Sequence, residues 1–293
     1  MSRHTKIVAT LGPASSSLPV LERMVHAGVD VVRMNFSHGT AEDHIGRADA
    51  IREASARTGR PVGILADLQG PKIRVGKFSS GKVTLTENAE FILDATCNEG
   101  NEQRVGLDYP DLPQDVSPGD ILLLDDGRLK LRVEKVHGTA IHCTVRVGGV
   151  LSNNKGINRQ GGGLSAPALT AKDMDDIRTA AKIGVDFVAV SFPKSAADMY
   201  MARQLLRAAG GKALLIAKIE RVEAVANLEE ILDASDGIMV ARGDLAVEVG
   251  DAAVPALQKK MLRAARDKNK LTITATQMME SMITSPVPTR AEV

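Results

Sequence analysis

An α/β fold of the TIM-barrel type is what the sequence predicts: a (β/α)8 barrel, incomplete with about seven strands present, carrying an inserted all-β cap domain. Three observations carry this expectation. Short β-branched runs alternate with longer amphipathic stretches, the rhythm of a parallel sheet with crossover helices. Between "ADLQGPK" and "LSAPALTAKD" that rhythm gives way to closely spaced strand-like runs joined by Gly, Asp and Pro turns, which read as a separate β module. Taking the insertion as residues 72–168 leaves 196 of the 293 residues for the αβ part, whereas a closed barrel typically takes ~250.

In chain order, "KIVAT", "DVVRMNF" and "VGILAD" are the expected strands of a first barrel segment, residues 1–71. The stretch "LPVLERMVHAGV" between the first two is amphipathic, with Ser17 placed to cap it, Pro19 in its first turn and Gly28 where the chain must leave it. Inside the insertion, "KVTLT", "EFILDA", "DILLLDD", "LKLRVEKV" and "AIHCTVRVGG" are the expected cap strands. "DFVAVSF", "LLIAKIE", "GIMVARGD" and "LTITATQ" supply strands four to seven in a second barrel segment, residues 169–293. Thr170 with Asp173 forms a capping-box pattern for the helix that opens this segment, with Gly184 at its far end.

Composition narrows the function classes. With 37 Lys+Arg against 36 Asp+Glu, the net charge of +1 gives no overall field toward nucleic acid or an anionic membrane, so neither is an expected partner. No stretch approaches the ~18 apolar residues of a membrane span, and the first residues hold no signal-peptide core, so a cytoplasmic location is expected. Cys97 and Cys143 are too few for a disulfide framework or a Cys-rich metal site and are expected to be reduced bystanders.

The fifth barrel strand raises the question of function. In "LLIAKIE", Ile216, Lys218 and Glu220 share one face while Leu215, Ala217 and Ile219 share the other, so the last two positions of the first face are charged. The carboxyl ends of strands in parallel αβ folds open onto the ligand crevice. Similar polar endings recur: Arg33, Asn35 and Ser37 lie on one face, Asp67 ends the third strand, Arg242, Gly243 and Asp244 end the sixth, and Thr274 and Thr276 end the seventh. Glu220 and Asp244, from adjacent strands, are oxygen donors suited to Mg2+ or Mn2+, which takes one or two carboxylates and leaves other positions to water and substrate. An ion pair between Glu220 and Lys218 is the alternative reading, and Arg242 or His38 taken singly fits a solvated strand terminus.

At these residues the chain resembles the pyruvate kinase family, through "KIVATLGPAS", "RMNFSHG", "DLQGPKIR", "NNKGIN", "AVSFPK", "AKIE", "MVARGDL" and "TATQMMESM…PTRAEV". The resemblance implies a barrel with a mobile cap after the third strand, and transfer of the phosphoryl group of phosphoenolpyruvate to ADP, giving pyruvate and ATP. It implies Glu220 and Asp244 as ligands of the divalent ion. Lys218 is implied at the transferring phosphoryl group, Arg33 on the phosphate, Gly243 with Asp244 at the substrate carboxylate, and Thr276 below the enolate face for the proton that completes pyruvate. Arg74, His38 and Lys155 are implied at the nucleotide. Full-length members form homotetramers, the expectation for a full-length relative of this chain.

Two departures from the family pattern matter. Many members read "DTKGPEIR" and need potassium, bound by the equivalents of Asn35, Ser37, Asp67 and a neighbouring carbonyl. Here Lys72 replaces the glutamate and Leu68 the threonine, as in the subgroup whose ammonium group substitutes for the ion, so K+ is not an expected requirement. The chain also ends at "PVPTRAEV", before the family's eighth strand and regulatory domain, so a fragment with doubtful independent activity is expected. Two other functions stay open at this point: a metal-dependent aldolase or lyase of the pyruvate-enolate type, which needs no nucleotide, and a catalytically inactive binding module.

Overall fold

A computed structural model describes residues 3–292. Strand β1 (Val8–Thr10) leads through α1 (Leu18–Ala27) to β2 (Val31–Asn35), and α2 (Ala41–Thr58) leads to β3 (Gly63–Asp67). There follow β4 (Lys82–Leu85), β5 (Glu90–Asp94), β6 (Arg104–Val105), a one-turn helix α3 (Leu112–Asp115), β7 (Ile121–Leu124), β8 (Leu129–His137), β9 (Ala140–Val147), β10 (Gly149–Ser152) and β11 (Ile157–Arg159). The αβ alternation resumes with α4 (Ala171–Ile183), β12 (Phe187–Val190), α5 (Ala196–Ala208) and β13 (Leu214–Ile219). Helices α6 (Val222–Ala226) and α7 (Leu228–Ala234), β14 (Gly237–Ala241), α8 (Arg242–Val249), α9 (Val254–Asp267) and β15 (Leu271–Ala275) complete it.

The helix ends show which local signals act. Thr170 and Asp173 close a full capping box on α4, and Thr40 with Asp43 closes another on α2. Ser17 occupies the N-cap of α1, but its side chain makes no capping bond. Gly28 and Gly184 end α1 and α4 at positive φ, where a Cβ would be strained.

Seven parallel strands pair in the order β1-β2-β3-β12-β13-β14-β15. The sheet curls: residues of β1 and β15, at opposite ends of that order, line the same cavity. Its two faces carry different cores. Leu65, Ala189, Ile216 and Met239 pack together on the concave side, whereas Leu215, Ala217 and Ile219 face the helices in a larger cluster with Val188, Val190 and Ile238. Burial of each Leu, Ile, Val or Met among them contributes about 1.5–3 kcal/mol, so the parity of β13 is set by packing on both sides. Lys218 and Glu220 follow Ile216 on the concave face and stand above its small core.

Strands β4 to β11 form two other sheets, one six-stranded in the order β11-β7-β8-β9-β5-β6 and one pairing β10 with β4, around a core of their own that includes Phe91, Leu122 and Ile141. Strands β6, β10 and β11 are short and had not been expected from the sequence. This module touches the αβ part near the strand ends. Gly163 N donates to Glu223 Oε1 at 2.5 Å, Lys194 Nζ donates to Ser165 O at 3.1 Å, and Lys72 Nζ donates to Asp244 Oδ1 at 3.2 Å.

Candidate active site

The parallel register brings the polar strand ends to one rim. Asn35 is level with Asp67, Asp67 with Ala189, and Ala189 with Ile216. A cavity of about 360 Å3 opens there, lined by Thr10, Arg33, Asp67, Lys218, Glu220, Asp244 and Thr276 among others. Residues from six strand ends therefore share one volume.

Lys218 is the centre of it. Its Nζ lies 2.8 Å from Ser191 Oγ, 3.0 Å from Glu220 Oε1 and 3.2 Å from Asp67 Oδ1. The ion pair between Lys218 and Glu220 thus exists, as part of a four-residue cluster. Burial alone would lower the Lys218 pKa, but the Glu220 and Asp67 carboxylates override it and hold the ammonium charged well beyond neutral pH. Glu220 moves oppositely to an ordinary paired carboxylate: burial pushes it up to about 7, with Lys218 pulling it down and Asp244 pushing it further up.

Asp67 is buried and faces two cations, since Arg33 Nε also donates to its Oδ2 at 2.6 Å. Arg33 Nη1 donates to Thr10 Oγ1 at 3.0 Å, so the guanidinium is oriented from two strands. Gly243, in the first turn of α8, donates its N–H to Thr276 Oγ1 at 3.3 Å. A Cβ there would lie 3.0 Å from the Thr276 methyl, so any larger residue would press on Thr276. Thr276 itself has φ +76, a left-handed conformation that β-branched residues rarely take. Arg242 does not line this cavity; it donates to Ala275 O at 2.8 Å and Gln277 O at 3.1 Å, holding the segment after β15.

The other expected site residues divide. Lys72 does not join Asn35, Ser37 and Asp67: its Nζ reaches Asp244 at 3.2 Å and Asp126 at 3.6 Å. The ammonium against Asp67 belongs instead to Lys218. Asn35 Oδ1 accepts from Ser37 N at 3.1 Å, a local turn contact. His38 is exposed, Lys155 pairs with Asp125 at 2.7 Å within the β module, and Arg74 Nη1 donates to Asn154 O at 3.0 Å. None of these three lines the cavity.

A divalent cation fits the donor set. Glu220 Oε2 accepts from Phe192 N at 2.8 Å, but Oε1 is buried without a hydrogen bond, the ammonium 3.0 Å away being off hydrogen-bond geometry. Asp244 presents a second carboxylate to the same cavity. Among the described residues no group of three or more His, Cys, Asp or Glu side chains gathers as a metal cluster. Two carboxylates with the remainder left to water and substrate suit Mg2+ better than a closed structural site does. The sequence alone does not mark Ser191 and Phe192, both within "AVSFPK", because a polar residue just past a strand resembles an ordinary turn.

No described helix is long and apolar enough to cross a membrane. A family model described as "Pyruvate kinase, barrel domain" matches residues 2–293. The chain is 58% identical over 296 residues to "Pyruvate kinase" of Haemophilus influenzae and to "Pyruvate kinase II" of Salmonella typhimurium, in each case covering 99% of this chain and 62% of the relative. It is 49% identical over 293 residues to "Pyruvate kinase" of Corynebacterium glutamicum. The chain thus spans about 62% of the length of these relatives.

Proposed function

The chain belongs to the pyruvate kinase family, and from that premise we propose that it transfers the phosphoryl group of phosphoenolpyruvate to ADP, giving pyruvate and ATP. The observation that carries the reading is the gathering of Lys218, Arg33, Glu220, Asp244 and Thr276 around one 360 Å3 cavity, with Glu220 Oε1 buried and unbonded. Phosphoryl transfer is mostly positioning and charge neutralisation, and this cavity offers charge without a covalent nucleophile.

Each residue then has a task. Glu220 and Asp244 would hold Mg2+ or Mn2+, which when bound would supply positive charge to the anionic substrate. Lys218, kept charged by its two carboxylates, neutralises the migrating phosphoryl group and the enolate left behind. Arg33, oriented by Asp67 and Thr10, binds the phosphate. The Gly243 and Asp244 backbone at the start of α8 receives the substrate carboxylate. Thr276, below the enolate face, helps deliver the proton that converts enolpyruvate to pyruvate, with a water relay resupplying its hydroxyl. Arg74, His38 and Lys155 line the nucleotide's approach, and closure of the module 72–168 over the rim excludes water. The cytoplasm is the location such a reaction implies.

Lys72 supports a further part of the proposal, independence from K+. Its ammonium stands beside Asp244, and Asp67 already meets Arg33 and Lys218, so fixed cations balance the carboxylates. The test is pyruvate formation coupled to lactate dehydrogenase, with ADP omitted in one arm and K+ replaced by tetramethylammonium in another. Pyruvate formation that needs ADP and keeps its rate without K+ is expected. Cleavage without ADP would favour a lyase, and a rate loss above about tenfold without K+ would refute the independence from K+.

A further inference from the structure

We propose that Ser191 is a positioning residue for Lys218, and that together with Phe192 it forms a two-residue clamp setting the directions of the cavity's ammonium and carboxylate. Its kinetic consequence rests on the phosphoryl-transfer reading; its geometric consequence does not. Ser191 follows the last residue of β12. Because β12 pairs with β13 so that Val190 is level with Ala217, the next residue of each strand brings Ser191 beside Lys218, their side chains 2.8 Å apart.

The hydroxyl has one proton and two lone pairs. It donates the proton to Leu68 O at 2.7 Å, so toward Lys218 Nζ at 2.8 Å it can only accept. Ser191 is 1% exposed, so its hydroxyl is shielded from bulk solvent. Of the ammonium's three close oxygens, the Ser191 hydroxyl alone meets hydrogen-bond geometry; Glu220 Oε1 and Asp67 Oδ1 lie within ion-pair distance but off it. Coulomb attraction to two carboxylates is weakly directional, whereas the hydroxyl fixes where the N–H bonds point.

The platform beneath the hydroxyl is rigid. Leu68 N donates to Ala189 O at 3.0 Å, and Gly70 N donates to Asp173 Oδ1 at 3.0 Å. Gly70, at φ +68, packs so closely that a Cβ would lie 2.7 Å from the Ser191 Cβ. The capping carboxylate of α4 thereby anchors the loop whose carbonyl orients Ser191. On the other side, Phe192 has φ +55, a conformation a bulky residue seldom adopts, and its N–H takes Glu220 Oε2 at 2.8 Å. Glu220 Oε1 is left as the oxygen facing Lys218. The ring of Phe192 is held in turn by the Arg221 guanidinium, 5.4 Å from its centroid. Adjacent residues thus aim both members of the Lys218–Glu220 pair.

Ser191→Ala removes the hydroxyl and adds no volume. The first readout is the side-chain ammonium spectrum of 15N-labelled full chain, with the Lys218 signal assigned by its disappearance in Lys218→Met. In the wild type this signal is expected to be protected from solvent exchange; in Ser191→Ala it is expected to shift and lose protection while the melting temperature stays near the wild-type value. The second readout is steady-state kinetics, where kcat is expected to fall about 10- to 100-fold, the cost of slight misplacement of a catalytic group. KM for phosphoenolpyruvate and the Mn2+ dissociation constant are expected to stay within about threefold, because the loss is confined to the transition state. An unmoved and still protected Lys218 signal overturns the proposal, as does a kcat loss matched by an equal loss of Mn2+ affinity. If the wild-type chain makes no pyruvate, the phosphoryl-transfer reading fails separately and the ammonium signal alone decides the positioning role.

Discussion

Replacing Lys218 with methionine keeps the length of the side chain and its apolar stem while deleting the charge that Glu220 and Asp67 share. Removing one partner of a buried ion pair costs about 3–5 kcal/mol. The low end is expected here, because Asp67 keeps Arg33 at 2.6 Å and Glu220 keeps the Phe192 N–H at 2.8 Å. Glu220 sets the pH dependence. Its pKa is raised by burial from 4.5 to about 7, so keeping it in the fold costs nothing below the unfolded value and progressively more as pH climbs through the folded one. Without the ammonium the folded value rises further. The cost that levels off near neutrality in the wild type then keeps growing in the variant, by up to about 1.4 kcal/mol per pH unit. A loss of about 3 kcal/mol corresponds to a melting temperature lower by roughly 6–12 °C in a chain of this size. Calorimetric melts of both proteins at about pH 6 and about pH 8.5 make the measurement, with the larger loss expected at the alkaline pH. A loss that is equal at the two pH values, or greater at the acid one, refutes the reasoning.

Three other outcomes follow from the same geometry. Asp244→Asn is expected to weaken Mn2+ binding, read by electron paramagnetic resonance titration, by at least about 100-fold, since it removes one of two carboxylates without changing shape. His44 is buried against Phe36, the rings 3.9 Å apart, with both ring nitrogens unbonded, and burial holds its pKa below 6.5. A base depressed in the fold contributes its full stability above its unfolded value and loses it as pH falls below that, so His44→Leu is expected to flatten the wild type's loss of melting temperature below about pH 6.5. Glu248, raised to about 7 by burial, accepts from Val222 N at 3.0 Å, an acceptor role an amide oxygen can keep. Its cost to the fold appears as pH rises from 4.5 through 7, so Glu248→Gln is expected to raise the melting temperature near pH 8 and leave it unchanged near pH 5, a difference of roughly 1–3 kcal/mol.

Much of the αβ part was legible because its signals are local. Period-two parity in "LLIAKIE" followed from alternating side chains alone, and the two cores on either side of β13 obey it. The capping box of Thr170 and Asp173 spans four residues, and so does the one at Thr40 and Asp43. Ser17 shows the opposite case, a capping residue in the right place whose side chain makes no bond. Ser191 was hidden in a quoted motif because a serine past a strand end has no pattern that separates a solvated hydroxyl from one aimed at a lysine.

What the sequence by itself determined is direction: which residues of each strand share a face, and therefore that Lys218, Glu220, Arg33 and Asp67 could turn toward one side. Only the tertiary structure decided partners. Lys218 meets Asp67 across 151 positions, Lys72 meets Asp244 across 172 rather than the Asn35, Ser37 and Asp67 group, and Ser191 meets Lys218 across 27. Side-chain parity is a property of one backbone with a period of two, whereas proximity depends on how strands are registered against each other, and that is fixed by packing among residues far apart in the chain.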